Sequence, residues 1–173
     1  MIILGIDPGT ACTGYGIVDY RWDEFKLKRY GCIRTKASLP THQRLREIYA
    51  RLVEIIEENQ PDEIVLEQLF FSKNAQTAMA VGQVRGIALL AAANCNLRTF
   101  EYTPLQIKQA VAGYGRARKE QIQYMVKTIL GLAETPKPDD AADALALAIC
   151  HAHCKRMGEK IWTNVEGRRS NER

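Results

Sequence analysis

Ile2-Ile3-Leu4-Gly5-Ile6-Asp7-Pro8-Gly9-Thr10 is an apolar run closed by a carboxylate and a Pro-Gly turn. A run this short, so apolar and so punctuated, predicts a buried strand over residues 2–7. Thr13-Gly14-Tyr15-Gly16-Ile17-Val18-Asp19-Tyr20 predicts a second strand. A third follows around residues 25–36, with partial alternation at Phe25, Leu27 and Cys32. Consecutive strands joined by short turns imply an antiparallel meander.

Downstream the period changes. Leu45, Ile48, Tyr49, Leu52, Ile55 and Ile56 keep helical spacing, so residues 41–59 form an amphipathic helix that ends at Pro61-Asp62. Glu63-Ile64-Val65-Leu66-Glu67 is a short apolar strand ending in a carboxylate. Residues 74–94 read as a long helix, residues 97–102 as a strand, and Thr103-Pro104 as the start of another helix. Ile122, Met125, Val126, Ile129 and Leu130 mark a further helix, and residues 139–154 the last. The pattern predicts an α/β fold: a mixed five-stranded sheet, antiparallel first and parallel afterwards, flanked by helices. One domain over residues 1–155 is expected. Residues 156–173 lose apolar periodicity and are expected to be a flexible tail.

Composition sets the class. The chain has 173 residues, 46% apolar and 25% charged, which suits a globular protein with a sizeable core. No apolar run approaches the ~18–20 residues of a membrane span, so no membrane partner is expected. Residues 1–7 carry no basic leader, so no signal peptide is expected. The five cysteines (Cys12, Cys32, Cys95, Cys150, Cys154) are odd in number and scattered. That is no disulfide framework and fits a reducing, cytoplasmic compartment. A net charge of +4 permits an anionic partner without requiring one.

Four carboxylates carry the chemistry. Asp7 and Glu67 each end an apolar strand; alone, either also reads as a turn or surface acid. Asp140 and Asp143 stand at i and i+3, on one face of a helix whose sequence is apolar nearly all round. Helix-end chemistry accounts for Asp140 more readily than for Asp143, which lies deeper in the apolar stretch. A buried like-charge pair calls for a cation. Oxygen donors without a His/Cys set suit Mg²⁺, with Mn²⁺ as a substitute. Two such ions in one site perform phosphodiester hydrolysis.

Gly5-Ile6-Asp7-Pro8-Gly9-Thr10, Leu66-Glu67-Gln68-Leu69-Phe70, Gln83-Val84-Arg85-Gly86 and Asp139-Asp140-Ala141-Ala142-Asp143-Ala144-Leu145-Ala146 resemble, in order, the motifs of the bacterial RuvC family. The resemblance implies an RNase H-like fold and a homodimer. It implies a crossover junction endonuclease that nicks four-way (Holliday) DNA junctions symmetrically in recombination and repair, with a preference for a short thymine-containing sequence. The ends would be ligatable 5′-phosphates and 3′-hydroxyls. It assigns metal ligation and catalysis to Asp7, Glu67, Asp140 and Asp143, and it implies partnership with the RuvA–RuvB branch-migration complex.

DNA-contact candidates follow. Phe70 matches the family's aromatic at the junction crossover. Phe71 beside it stacks on a base or packs inward. Lys108 and Lys119 match positions that support DNA binding near the site. Arg116 and Arg118 rest on charge alone and are equally read as a solvated loop. Ala78, Gly82 and Gly86 recur every four residues, as either intrachain packing or a dimer contact; the resemblance favours the dimer.

Rival readings are weaker. Cys150-His151-Ala152-His153-Cys154 invites zinc, but one regular helix cannot surround an ion with these ligands, and no second Cys/His pair is present. Asp7-Pro8-Gly9-Thr10 also resembles the first phosphate motif of actin-like kinases, which leaves Asp140 and Asp143 unexplained. An RNase H-like nuclease of the YqgF type is a nearer rival, but Phe70-Phe71-Ser72-Lys73-Asn74 is not expected in it. A non-cleaving junction-binding protein is disfavoured by the complete carboxylate set.

Overall fold

The computed structural model describes residues 1–68, 75–156 and 158. Five strands form one sheet in the order β3-β2-β1-β4-β5. They are β1 (Ile2–Asp7), β2 (Cys12–Arg21), β3 (Glu24–Arg34), β4 (Glu63–Glu67) and β5 (Arg98–Tyr102). The helices are α1 (Thr41–Asn59), α2 (Ala75–Asn94), α3 (Pro104–Ala112), α4 (Lys119–Ile129) and α5 (Asp139–Arg156). β1–β2 and β2–β3 pair antiparallel; β1–β4 and β4–β5 pair parallel. This is the expected mixed sheet, in an RNase H-like arrangement. Its first strand is central because the meander grows on one side of β1 and the helix-connected strands on the other.

The two-residue period of the strands sorts side chains onto two faces. Leu4, Ile6, Ile64 and Leu66 face one way and pack with Ile48, Leu52 and Ile55 of α1 and Val84, Ala88 and Ala91 of α2. Ile3, Val18, Val65, Phe100 and Tyr102 face the other way and pack with α3, α4 and α5. Asp7 keeps the parity of Ile3, and Glu67 that of Val65. Both carboxylates therefore project from the α5 face.

α5 is buried on nearly every side, from Ala141 through Ala152 apart from Asp143. That is why its sequence lacks a polar stripe. Missing side chains let it lie close on the sheet. A Cβ on Gly5 would stand 2.0 Å from the carbonyl oxygen of Ala144, and one on Gly14 would stand 2.0 Å from that of Asp140. Gly14 pairs with Asp7 in the β1–β2 register, so the start of α5 rests directly beside the end of β1.

A buried polar link sets how far α5 slides along the sheet. His151 Nε2 meets Glu63 Oε2 at 2.5 Å, and His151 Nδ1 meets the Tyr102 hydroxyl at 2.8 Å. Lys155 and Arg98 close on the other Glu63 oxygen at 2.5 and 2.6 Å. From His151 back to Asp143, the helix rises about 12 Å. From Glu63 forward to Glu67, the strand runs about 13 Å. Pinning His151 on Glu63 thus brings Asp143 level with Glu67.

Two readings are adjusted. Cys12 and Cys32 are joined in a disulfide between β2 and β3, with Cα atoms 5.8 Å apart. One bridge is no framework, but the scattered spacing hid it, because only β-pairing makes the two residues neighbours. Of the expected tail, Arg156 completes α5 and pairs with Asp23 at 3.2 Å. Apart from Gly158, the rest lies outside the described residues. No helix among the described residues is long and apolar enough to cross a membrane.

Candidate active site

β1 delivers Asp7, β4 delivers Glu67 and α5 delivers Asp143 to one cleft of about 230 Å³. In the parallel β1–β4 pair, Ile6 stands opposite Leu66, so Asp7 and Glu67 are the next residues on adjacent strands. Lys108 of α3 and Lys119, the first residue of α4, line the same cleft, with Ile107, Ile122 and Leu147 as its apolar wall. Lys119 Nζ holds Asp143 at 2.9 Å and Asp139 at 3.4 Å.

The electrostatics are those of crowded anions in a partly dry cleft. Burial, then the charges of Asp143, Glu67 and Asp140, push Asp7 up to about 7, against a weaker pull from Lys119. Burial and Asp143 raise Glu67, with Lys108 opposing. Asp143 is also raised, by burial first, with Asp139 and Asp140 adding to it, although Lys119 pulls it down. Burial works against the charge on Lys119, but Asp143 and Asp139 outweigh it and raise its pKa. Each carboxylate makes its neighbours harder to ionise. A cation of charge two placed among them would remove that cost. All the donors are hard oxygens, so the residues present fit a divalent ion of the Mg²⁺ or Mn²⁺ kind.

Asp140 sits slightly apart. It acts on Asp7 and Asp143 through its charge and lies against Gly14 and the Cys12–Cys32 pair. Among the described residues, Cys12, Cys32 and Asp140 are also the one cluster of metal-ligating types whose donor atoms all lie within 4.8 Å of one another.

The remaining candidates divide. Arg116 and Arg118 are exposed on the loop before α4 and are not part of the cleft wall. Phe70 and Phe71 lie outside the described residues. The Cys/His cluster on α5 has other work: His151 is held by Glu63 and Tyr102, and His153 Nδ1 meets the carbonyl of Ala110 at 2.8 Å. Two features escaped the sequence reading: the fully buried Glu63 and the bridge beside Asp140. Glu63 opens an apolar strand, and its partner is 88 residues away, so no local pattern marks it.

Three strand-and-helix carboxylates on one face of this sheet can be set against known proteins. The model of the crossover junction endodeoxyribonuclease RuvC family matches residues 3–151. This chain belongs to the RuvC family. The RuvC of Pelotomaculum thermopropionicum is 60% identical over 153 residues, covering 88% of this chain and 93% of that protein. The solved structure of Thermus thermophilus RuvC superposes with a TM-score of 0.85 at 37% identity, covering 91% of this chain and 97% of the other. A T. thermophilus RuvC in complex with Holliday junction substrate gives a TM-score of 0.87 at 38% identity, covering 91% and 96%. RuvC enzymes are divalent-metal-dependent nucleases.

Proposed function

We propose that this chain resolves four-way DNA junctions by symmetric paired nicking, as a homodimer, leaving 5′-phosphate and 3′-hydroxyl ends. The observation that carries the chemistry is the convergence of Asp7, Glu67 and Asp143 on one cleft with Lys119 on Asp143. Family membership carries the substrate: relatives are named crossover junction endodeoxyribonucleases, and one was solved with a Holliday junction.

In this reading Asp7, Glu67, Asp140 and Asp143 hold two Mg²⁺ ions, or Mn²⁺ in their place. When bound, such a pair supplies an activated water and stabilises the leaving oxygen of an in-line phosphodiester displacement. The chain's own residues orient and charge the site. Asp7 and Glu67 are fixed by strand register, and Asp143 by the position of α5. Lys119 holds Asp143, and Lys108 sits across the cleft to meet a phosphate. Arg116 and Arg118 extend the basic surface, and Phe70, with Phe71 beside it, stacks at the unpaired crossover. The small-residue stripe of α2 forms the dimer contact. A two-fold dimer presents two equivalent sites to a junction whose strand exchange is two-fold. Cooperation with RuvA–RuvB and work in the cytoplasm complete the reading.

The test is a synthetic four-way junction incubated with the protein, with and without Mg²⁺. Paired nicks at symmetric positions, only with metal, are expected. Binding without nicks in Mg²⁺ and Mn²⁺ sinks the proposal. Replacing Phe70 by Ala should lower nicking while leaving the thermal transition unchanged; wild-type nicking would remove it from the crossover.

A further inference from the structure

Cys12 and Cys32 stand at a place the cleavage chemistry does not use. Cys12 opens β2, and Cys32 lies on β3 opposite Gly14. Their Cα separation of 5.8 Å is one that a disulfide spans without backbone movement. Both are half-buried. Both sulfurs and a carboxylate oxygen of Asp140 lie within 4.8 Å of one another. A second connection runs through the backbone. The Cys12 carbonyl oxygen packs so closely on Gly9 that a Cβ there would stand 2.4 Å away. The Thr13 hydroxyl donates to the Gly9 carbonyl at 2.7 Å. Gly9 belongs to the turn that follows Asp7. The cysteine pair therefore lies within 4.8 Å of one carboxylate of the centre, and the backbone of Cys12 packs on the turn behind another.

We propose that Cys12 and Cys32 form a reversible thiol–disulfide site whose state sets how Asp140 is held, and with it the centre's affinity for its divalent cation. This rests on the metal-binding reading above. The reaction partner is a low-molecular-weight disulfide. One cysteine thiolate attacks it, its S–S bond breaks, and one small thiolate leaves. The second cysteine thiolate then attacks the mixed disulfide and releases the other. The protein pair loses two electrons and two protons, and the small disulfide gains both as two thiols. In the dithiol form the sulfurs beside Asp140 carry S–H groups that can donate to its carboxylate. An oxygen engaged by S–H is less available to a cation. The disulfide form therefore holds the cation more tightly.

The whole protein is equilibrated with excess oxidised glutathione or excess dithiothreitol, and the small molecules are removed. Alkylation and peptide mass mapping report the state of Cys12 and Cys32 separately from Cys95, Cys150 and Cys154. Each form is titrated with Mn²⁺, and free ion is read by electron paramagnetic resonance. Several-fold tighter Mn²⁺ binding is expected in the disulfide form. The double variant Cys12→Ser, Cys32→Ser, which cannot form the bridge or a mixed disulfide there, should show one affinity under both treatments. Equal, measurable affinities in the two fully converted wild-type forms overturn this proposal and leave the metal reading standing. A pair that does not react with oxidised glutathione in the native protein overturns it as well. No Mn²⁺ binding in either form overturns the metal reading, and this proposal with it.

Discussion

Asp7→Asn replaces a crowded carboxylate by a neutral group of the same shape, and its effect on the metal-free protein can be worked from the site. Asp7 is pushed from 3.8 up to about 7 in the folded chain. That is about 3 units, and at about 1.4 kcal/mol per unit the ionised form costs the fold up to about 4 kcal/mol. Water and counter-ions entering the open cleft reduce this, so about 2 kcal/mol is the working expectation. The sign follows from the raised value. Stability relative to the neutral variant is fully present below the unfolded pKa near 3.8 and is lost as pH rises through about 7. Without metal, Asp7→Asn should therefore match the wild type near pH 3.5 and exceed it at pH 8. A gain of about 2 kcal/mol corresponds to a melting shift of about 4–8 °C for a chain this size. The assay is denaturant unfolding of both proteins in chelator across that range, repeated in excess Mg²⁺. Metal should rescue the wild type by mass action and close the gap. The variant should bind junction DNA yet fail to nick it. A variant no more stable than the wild type at pH 8, or a gap equal at both pH values, refutes the crowded-anion account.

Other expectations follow from particular contacts. Gly14→Ala puts a Cβ against the Asp140 carbonyl and should cut metal-dependent nicking about tenfold, equivalent to about 1.4 kcal/mol, with the far-ultraviolet spectrum retained; wild-type rates would show that the start of α5 yields freely. Glu63→Gln leaves His151 and Lys155 without their carboxylate and should destabilise by about 3 kcal/mol, measured by urea unfolding. The pKa of Glu63 is lowered because hydrogen bonds from His151 and Lys155 outweigh its burial, so its contribution is present above the unfolded value of 4.5 and lost as pH falls through the folded one. The Glu63→Gln deficit should therefore shrink in acid, and a deficit constant with pH would exclude an ionised Glu63. Lys119→Met should weaken junction binding and reduce the salt slope by about 1 if the side chain meets one phosphate, as read by binding titrations at several salt concentrations. An unchanged slope would leave Lys119 to its pairs with Asp143 and Asp139.

Elements and partial sites were legible for local reasons. β1 and β4 are short apolar runs between turn residues, and α1 repeats its apolar positions at helical spacing. The i, i+3 spacing of Asp140 and Asp143 inside an apolar helix announced a charged site before any fold was known. Asp7 and Glu67 were ambiguous one at a time, because a strand-ending acid is also ordinary turn chemistry. The sheet removed the ambiguity: the β1–β4 register and strand parity turn both toward α5. Glu63 was invisible, since an acid at the start of a strand is normally solvated and its partners come from α5 and β5.

What the sequence alone determined is what neighbours two, three or four residues apart can encode: strand and helix, buried or amphipathic, and the resemblance carried by short motifs. What only the tertiary structure decided is which distant residues share a surface. Asp7 meets Glu67 through strand register. Asp143 meets both because His151 is pinned on Glu63 and because Gly5 and Gly14 let α5 settle on the sheet. Cys12 meets Cys32 through the β2–β3 pairing. The physical reason is that such contacts arise only when packing, hydrogen bonding and chain connectivity are satisfied together. No window along the chain contains all three.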